Sequence, residues 1–343
     1  MTDTVLYSTL IGSDEPIEEL PAEIISYGFR LNGPGSIRFR LAADHPKCDP
    51  AVIYPRRHEA VVRRNGAIVW RGPILTAVET DSTSGRFVEF AGEGMLSYLR
   101  WMHVTATIGV QAATEQFAVA AALVDHHQSK AGGDFGIDTS SVGAAGIERE
   151  GLIYPGFERK NVWEAVVQLA ERLNGFDFDV APETRVLRLH HPSRGRRRPD
   201  IVFDVRNIRS FGRTIDGTAQ ASQVLGVGAG EADSMLLRSR QSSTAVADFG
   251  LTQTIVTAKD VSVADTLQDK VDDELAAHTS PPEVISVTSG TTDPPVMSYE
   301  EGDEVRIVWD SPYSPISAYR RLVGRDIQWT AGEEQAVLHL EAL

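Results

Sequence analysis

Asp177 and Asp179 stand two residues apart in Phe176-Asp177-Phe178-Asp179-Val180. On a strand they share one face, and paired carboxylates can do acid-base work when they converge on one bond. Phe176, Phe178 and Val180 point the other way, which predicts a half-buried strand with both aspartates in solvent. Asp125-His126-His127 and His190-His191 carry metal-ligand side chains. Adjacent histidines lie about 100° apart on a helix and on opposite faces of a strand, so neither pair closes easily on one ion. With no third ligand at a telling spacing, both pairs read as surface or loop residues. Val224-Leu225-Gly226-Val227-Gly228-Ala229-Gly230 has the glycines of a dinucleotide turn. It lacks the right spacing and the helix whose N-terminus would face a pyrophosphate, so it reads as a glycine-rich strand end. Arg194-Gly195-Arg196-Arg197-Arg198-Pro199 concentrates positive charge in a form that suits phosphate, an acidic protein surface or a solvated hairpin end. No G-x-S-x-G elbow and no Cys-His pair is placed for nucleophilic attack. The expectation is a protein with no catalytic residues, no metal site and no cofactor.

The elements that position these groups begin with strands. Ser36-Ile37-Arg38-Phe39-Arg40-Leu41 alternates strictly, with Ile37, Phe39 and Leu41 on one face. Asn65-Gly66 is a two-residue hairpin turn between Glu59–Arg63 and Ile68–Glu79, and Arg86–Gly92 follows. After about residue 105 helices enter. Thr114 caps one that runs through Phe117, Ala121 and Val124 and ends at Gly132-Gly133. Asn161, with Glu164 three residues on, caps a second whose apolar face is Trp163, Val166, Val167, Ala170 and Leu173. A third spans Val263–Ala277 with Ser262 and Asp265 as its capping box and Leu267, Val271 and Leu275 as its stripe. Strands return at Asp303–Trp309, Ala318–Trp329 and Gln335–Glu341.

The last three strands repeat the order of Glu59–Arg63, Ile68–Glu79 and Arg86–Gly92. Each middle strand carries an internal glycine, Gly72 in one and Gly324 in the other, the mark of a bulge or bend. This predicts a duplicated β-domain, each copy a sandwich or barrel, in a mixed β and α/β chain. The boundaries are 1–105 for the first barrel, 106–200 for an α/β module, 201–235 with 296–343 for the second barrel, and 236–295 for an inserted α/β module.

Composition narrows the function classes. Of 343 residues, 33 are Lys or Arg and 48 Asp or Glu, a net charge of −15. That sign argues against a protein that works by neutralising nucleic-acid phosphates. The single cysteine, Cys48, cannot form an internal disulfide and reads as a small buried or half-buried hydrophobe. The longest apolar run, Phe117–Val124, is too short to span a bilayer. The opening MTDTVLYSTLIG has no basic segment followed by an apolar core, so no signal peptide is expected, and assembly in a cytoplasm is.

Leu31-Asn32-Gly33-Pro34-Gly35-Ser36-Ile37-Arg38-Phe39 resembles the xxGxGSxxFxL opening of minor tail proteins from long-tailed phages of actinobacteria. Tyr54–Gly66, Val69-Trp70-Arg71-Gly72, Gly92–Leu99 and Tyr299–Val305 continue the resemblance, which covers most of the chain. It implies a baseplate-hub-like fold, with two related antiparallel β-barrel domains joined by small α/β modules, and a homotrimeric ring. The implied partners are the distal tail protein or tail tube protein on one side, and other minor tail proteins or fibres on the other. The implied place is the virion, at the distal end of the tail. Such proteins often carry a C-terminal extension with fibre or peptidoglycan-cleaving parts. This sequence ends at Leu343, which speaks against a lytic or receptor-binding role. A trimer with two similar domains per subunit presents six similar surfaces to a sixfold tube. The interface candidates are Trp70 and Arg71, types enriched at interface hot spots, and Arg196, Arg197 and Arg198. Trp70 reads equally as a core residue of the first barrel. The competing class is a cell-surface carbohydrate-binding or carbohydrate-cleaving β-domain built around Asp177, Asp179 and Trp163. A hub of a related contractile injection machine is the third reading.

Overall fold

The computed structural model describes residues 4–343 apart from Ser84, Gln111, Leu173 and Asp260. It divides into two compact units, Met1–Ser210 with Val287–Leu340 and Phe211–Ser286 with Glu341–Leu343.

The first unit opens with β1 (Thr4–Leu10), β2 (Pro16–Leu20), β3 (Glu23–Arg30), β4 (Ser36–Ala42), β5 (His58–Arg64), β6 (Ala67–Ser82) and β7 (Gly85–Glu93). In β4 the alternation holds: Ile37, Phe39 and Leu41 are buried. The β5–β6 hairpin turns at Asn65 and Gly66, both with positive φ (50° and 85°), as the Asn-Gly pair demands. Along β6 the partner changes. Ala67–Pro73 pairs with β5, and Ile74–Ser82 pairs with β7. Gly72 sits at this change, where a Cβ would lie 1.9 Å from the Glu93 carbonyl oxygen. No other residue fits a crossing that close.

The chain then leaves the sheet through a 3₁₀ turn, Met95–Trp101. Next come β8 (Ile108–Val110), β9 (Thr114–Glu115), α1 (Gln116–Gln128), β10 (Glu148–Arg149), β11 (Leu152–Tyr154), α2 (Val162–Ala170), β12 (Asp177–Val180) and β13 (Leu187–His190). Met102, Leu123, Val162, Leu169 and Phe178 belong to one buried cluster here. The cap of α1 is Glu115, whose carboxylate accepts from the Ala118 N–H at 2.9 Å; Thr114 lies in β9 instead. The α2 cap is Asn161, accepting from the Glu164 N–H at 3.3 Å. The buried face of α2 is turned from the expected one. It is Val162, Ala165, Val166 and Leu169, with Trp163, Val167 and Ala170 at its margin, because α1 and the 3₁₀ turn both pack on the helix. Leu173 of the expected face lies outside the described residues.

β14 (Arg197–Phe203) and β15 (Ile208–Ile215) lead into the second unit. That unit holds β16 (Gln223–Val227), β17 (Leu237–Gln241), α3 (Ser243–Phe249), β18 (Gln253–Thr257) and α4 (Ala264–His278), and the chain returns along β19 (Glu283–Gly290). Leu267, Val271 and Leu275 are the buried stripe of α4, as their spacing predicts. The N-cap is Val263 with no side-chain cap, so the Ser262 capping box does not form. The short α3, which the sequence reading missed, is capped by Ser242 accepting from the Ala245 N–H at 3.2 Å.

β20 (Glu304–Trp309), β21 (Ile316–Thr330) and β22 (Glu333–Glu341) complete the chain. Among the described residues the large sheet has 13 strands and is mostly antiparallel. Its path runs β15-β19-β22-β21-β3-β4-β7-β6-β5-β1-β2, with β20 on β21 and β14 parallel to β20. The path is open. Closure into two separate barrels is not formed by the ladders among the described residues, since Gly324–Gln328 of β21 pairs with Arg30–Ser26 of β3 and joins the two strand sets edge to edge.

Candidate interaction site

β12 and β13 pair in the register Asp177↔His190 and Asp179↔Arg188, which puts two carboxylates and their partners on one face. Both aspartates are buried rather than solvated (6% and 8% exposed). Their surroundings explain it. Asp177 accepts from the Asn32 side-chain amide at 2.8 Å, from the Arg194 N–H at 2.6 Å and from the Arg321 guanidinium. The same Asn32 side chain accepts from the Phe178 N–H at 2.8 Å, so the β3–β4 turn clasps β12. Asp179 is held by Arg188, by His190 Nε2 at 3.0 Å and by Arg194 at 3.2 Å. Burial disfavours the charged Asp179 carboxylate. The His190 contact and the Arg194 and Arg188 charges outweigh it and hold the pKa at about 2. A carboxyl ionised at every physiological pH cannot serve as a general acid; here it clamps.

A second network surrounds Glu59, fully buried on β5. Arg185 donates to it at 2.8 and 3.1 Å, the Tyr98 hydroxyl donates to it, and Arg71 Nε lies 3.8 Å away. Asp14 bridges the two arginines, 2.5 Å from Arg71 and 2.9 Å from Arg185. Burial alone would lower the Arg185 pKa, but the charges and hydrogen bonds of Glu59 and Asp14 raise it. A third buried cation, Arg325, lies over the Phe29 and Tyr299 rings (4.7 and 5.4 Å to the centroids). It donates to the Tyr299 carbonyl at 2.7 Å and sits 3.3 Å from Glu301. Trp70, Arg71, Asp179, Arg188, Arg194 and Arg325 all line one cleft of about 280 Å³.

The expected interface residues divide between this cleft and the surface. Trp70 is buried and its indole N–H donates to the Gly28 carbonyl at 3.1 Å, and Arg71 is buried in the Glu59 network. Arg196 is exposed, and its backbone N–H donates to Asp303 at 3.0 Å. Arg197 pairs with Glu304 at 2.7 Å and lies over the Tyr319 ring. Arg198 pairs with Asp200 at 2.7 Å and reaches Asp303 at 3.4 Å. The basic run thus leads into strand β14, and Arg194, Arg197 and Arg198 are paired with neighbouring carboxylates.

The other sequence candidates have structural roles. His126 Nε2 accepts from the Thr105 N–H at 3.0 Å, His127 stacks on Phe135, and His191 Nδ1 sits 2.7 Å from the Gly175 carbonyl. These half-buried positions replace the expected surface ones. Cys48 is half-buried, and burial together with Glu79 and Asp49 pushes its thiol pKa up. In the glycine-rich stretch, a Cβ at Gly226 would meet Val271 Cγ2 at 2.4 Å, so the glycine admits α4. No group of three His, Cys, Asp or Glu side chains among the described residues could hold a metal ion. Sequence reading missed Glu59, Arg185 and Arg325. The one signal available was a carboxylate inside the apolar run His58-Glu59-Ala60-Val61-Val62.

No family model and no curated protein matches the chain. Solved structures do. A 43 kDa tail protein of prophage MuSo2 from Shewanella oneidensis aligns at a TM-score of 0.69 and 11% identity, over 99% of this chain and 98% of that one. A tail protein from Neisseria meningitidis MC58 aligns at 0.65 and 17% identity, over 99% and 96%. An Escherichia coli type VI secretion component, described as similar to bacteriophage T4 tail proteins, aligns at 0.50 and 11% identity, over 97% and 76%. Across essentially its whole length, this chain has the fold of phage tail proteins.

Proposed function

We propose that this chain is a non-enzymatic structural hub of a phage tail tip. Three copies form a ring that meets the sixfold tail tube or distal tail protein and carries the tip or fibres beyond it. The observation that carries the reading is the paired strand sets. In β5–β6–β7 and in β20–β21–β22, the middle strand is long (16 and 15 residues) and contains a glycine, Gly72 or Gly324. β6 passes from β5 to β7 along its length, and β21 pairs with β20 along its first part and with β3 along its second, with β22 also on it. Two such sets per chain give a trimer six similar elements, which is what a threefold-to-sixfold adapter needs. The full-length likeness to tail proteins supports the same reading, and the sequence motifs of Leu31–Phe39 and Val69–Gly72 point to tails of actinobacterial phages. The two sets are taken as the two related β-domains of the four-part organisation. Arg196 and Arg197 are the contacts offered to a partner, while Trp70 and Arg71 line the cleft.

The likeness to a type VI component favours, as a second reading, the same role in a contractile injection machine. The carbohydrate reading has lost its chemistry, because Asp177 and Asp179 are occupied by arginines. Light scattering on the purified chain, alone and on tail tubes, tests the proposal. A mass of three 37.4 kDa chains is expected; a monomer both free and on the tube contradicts it.

A further inference from the structure

The second unit contains a sheet with one bare face. β16 is central, antiparallel to β17 and parallel to β18. α4 covers one side, where Val224 and Val256 meet Val271 and Leu275. Alternate residues point away from α4, which places Leu225 and Val227 of β16 and Ile255 of β18 on the opposite side. Leu237 of β17 joins them, since it is the cross-strand partner of Val227. Leu237 and Ile255 are 59% and 64% exposed. A sheet with helix on one side that carries aliphatic side chains on the other has a second apolar surface for something else to bury.

We propose that this bare face is a self-association surface, covered by the second unit of another copy of this chain; the inference rests on the trimeric reading above. Charge identifies the occupant. The register sets the face as three rows of three. Besides the four aliphatic residues, it contains Ser239, Thr257 and a ladder of Gln241, Gln223 and Gln253, the last two hydrogen-bonded at 2.6 Å. None of these side chains is charged, in a chain of net charge −15. The outer side of α4, by contrast, exposes Asp265, Asp269, Asp272 and Asp273. A basic partner would be drawn to that helix. An uncharged apolar patch is where a second strongly acidic molecule of the same kind can approach without like-charge repulsion.

Size then says how the patch works. Three strands about 4.8 Å apart and three rows about 6.8 Å apart cover roughly 300 Å². A stable interface covers about 800 Å² per partner. The patch therefore adds to a larger contact and does not hold two copies by itself.

The test is a concentration series of the full chain by sedimentation velocity, comparing wild type with Leu237→Glu/Ile255→Glu and with Leu237→Ser/Ile255→Ser. The serine pair removes apolar area without adding charge, and circular dichroism checks that both variants are folded. Asp269→Lys, on the outer side of α4, is the control. The expected result is self-association of wild type and of the control, with the midpoint moved to at least roughly tenfold higher concentration in both double variants. Double variants that associate like wild type overturn this face and leave the trimer standing. A wild type that stays monomeric to about millimolar concentration also overturns it. The hub reading is then decided separately, by the mass of the chain on tail tubes.

Discussion

Gly72 in the middle strand of β5–β6–β7 lies against backbone, whereas its counterpart Gly324 in β20–β21–β22 lies against a side chain. A Cβ at Gly72 would stand 1.9 Å from the Glu93 carbonyl oxygen and 2.7 Å from Gly94 Cα; at Gly324 the nearest atom would be Arg30 Cδ at 2.9 Å. The two sets share a long strand that changes partner, but they close their packing differently. In the first, two chain segments cross in direct contact. In the second, a flexible arginine fills the space and pairs with Asp326 at 2.8 Å. The buried charges differ in the same way. β5 holds Glu59 among Arg185, Arg71 and Tyr98. The start of β22 instead presents Glu334 to Arg64 of β5, with Thr291 donating to the same carboxylate at 2.8 Å. The two strand sets are held by different interactions.

Four tests, the glycine pair counted as one, bear on this comparison, ordered by the largest effect in each. Glu59→Gln removes the charge that faces Arg185 and Arg71 in the interior, and about 3–5 kcal/mol of stability should go with it. Denaturant midpoints would show this, and a loss under 1 kcal/mol would mean the network is not holding the fold. Gly72→Ala should cost about 3 kcal/mol or more, since backbone cannot yield as a side chain can. Gly324→Ala should cost about 1 kcal/mol or less, because Arg30 can swing aside. Equal losses at the two glycines would erase the distinction drawn above.

Acid gives the third effect. The folded Asp179 pKa, about 2, lies below its ordinary 3.8. Its contribution is therefore complete above pH 4 and is lost as pH falls from about 4 toward 2. The amount is on the order of 2 kcal/mol. Asp179→Asn should flatten this part of the stability–pH curve, and an unchanged acid limb would show that the clamp is energetically idle. The smallest effect belongs to Arg196→Ala. Its side chain is exposed, so the melting midpoint should stay where it is while binding to tail tubes weakens. Undiminished binding would remove Arg196 from the interface.

What could be read from the sequence was what depends on neighbours. The Asn65-Gly66 turn, the alternation of Ile37, Phe39 and Leu41, the Asn161 cap and the Leu267-Val271-Leu275 stripe are all set within a few residues, and each is present. The aspartates were misjudged because their partners are remote: Asn32 lies 145 residues from Asp177 and Arg321 lies 144. No spacing rule reports such a pair. Alternation correctly placed Asp177 and Asp179 on one face, but it could not say that the face is roofed by arginines. The α2 stripe failed for a related reason, since periodicity gives an apolar arc and the neighbours on either side choose its centre.

The central claim is that one chain supplies two similar elements to a threefold ring seated on a sixfold tube. Electron cryo-microscopy of the intact tail tip, reconstructed without imposed symmetry, tests it most directly. The account predicts three copies, each presenting β5–β6–β7 and β20–β21–β22 to successive subunits of the tube. Six copies, or three copies that meet the tube through only one of the two strand sets, would contradict it.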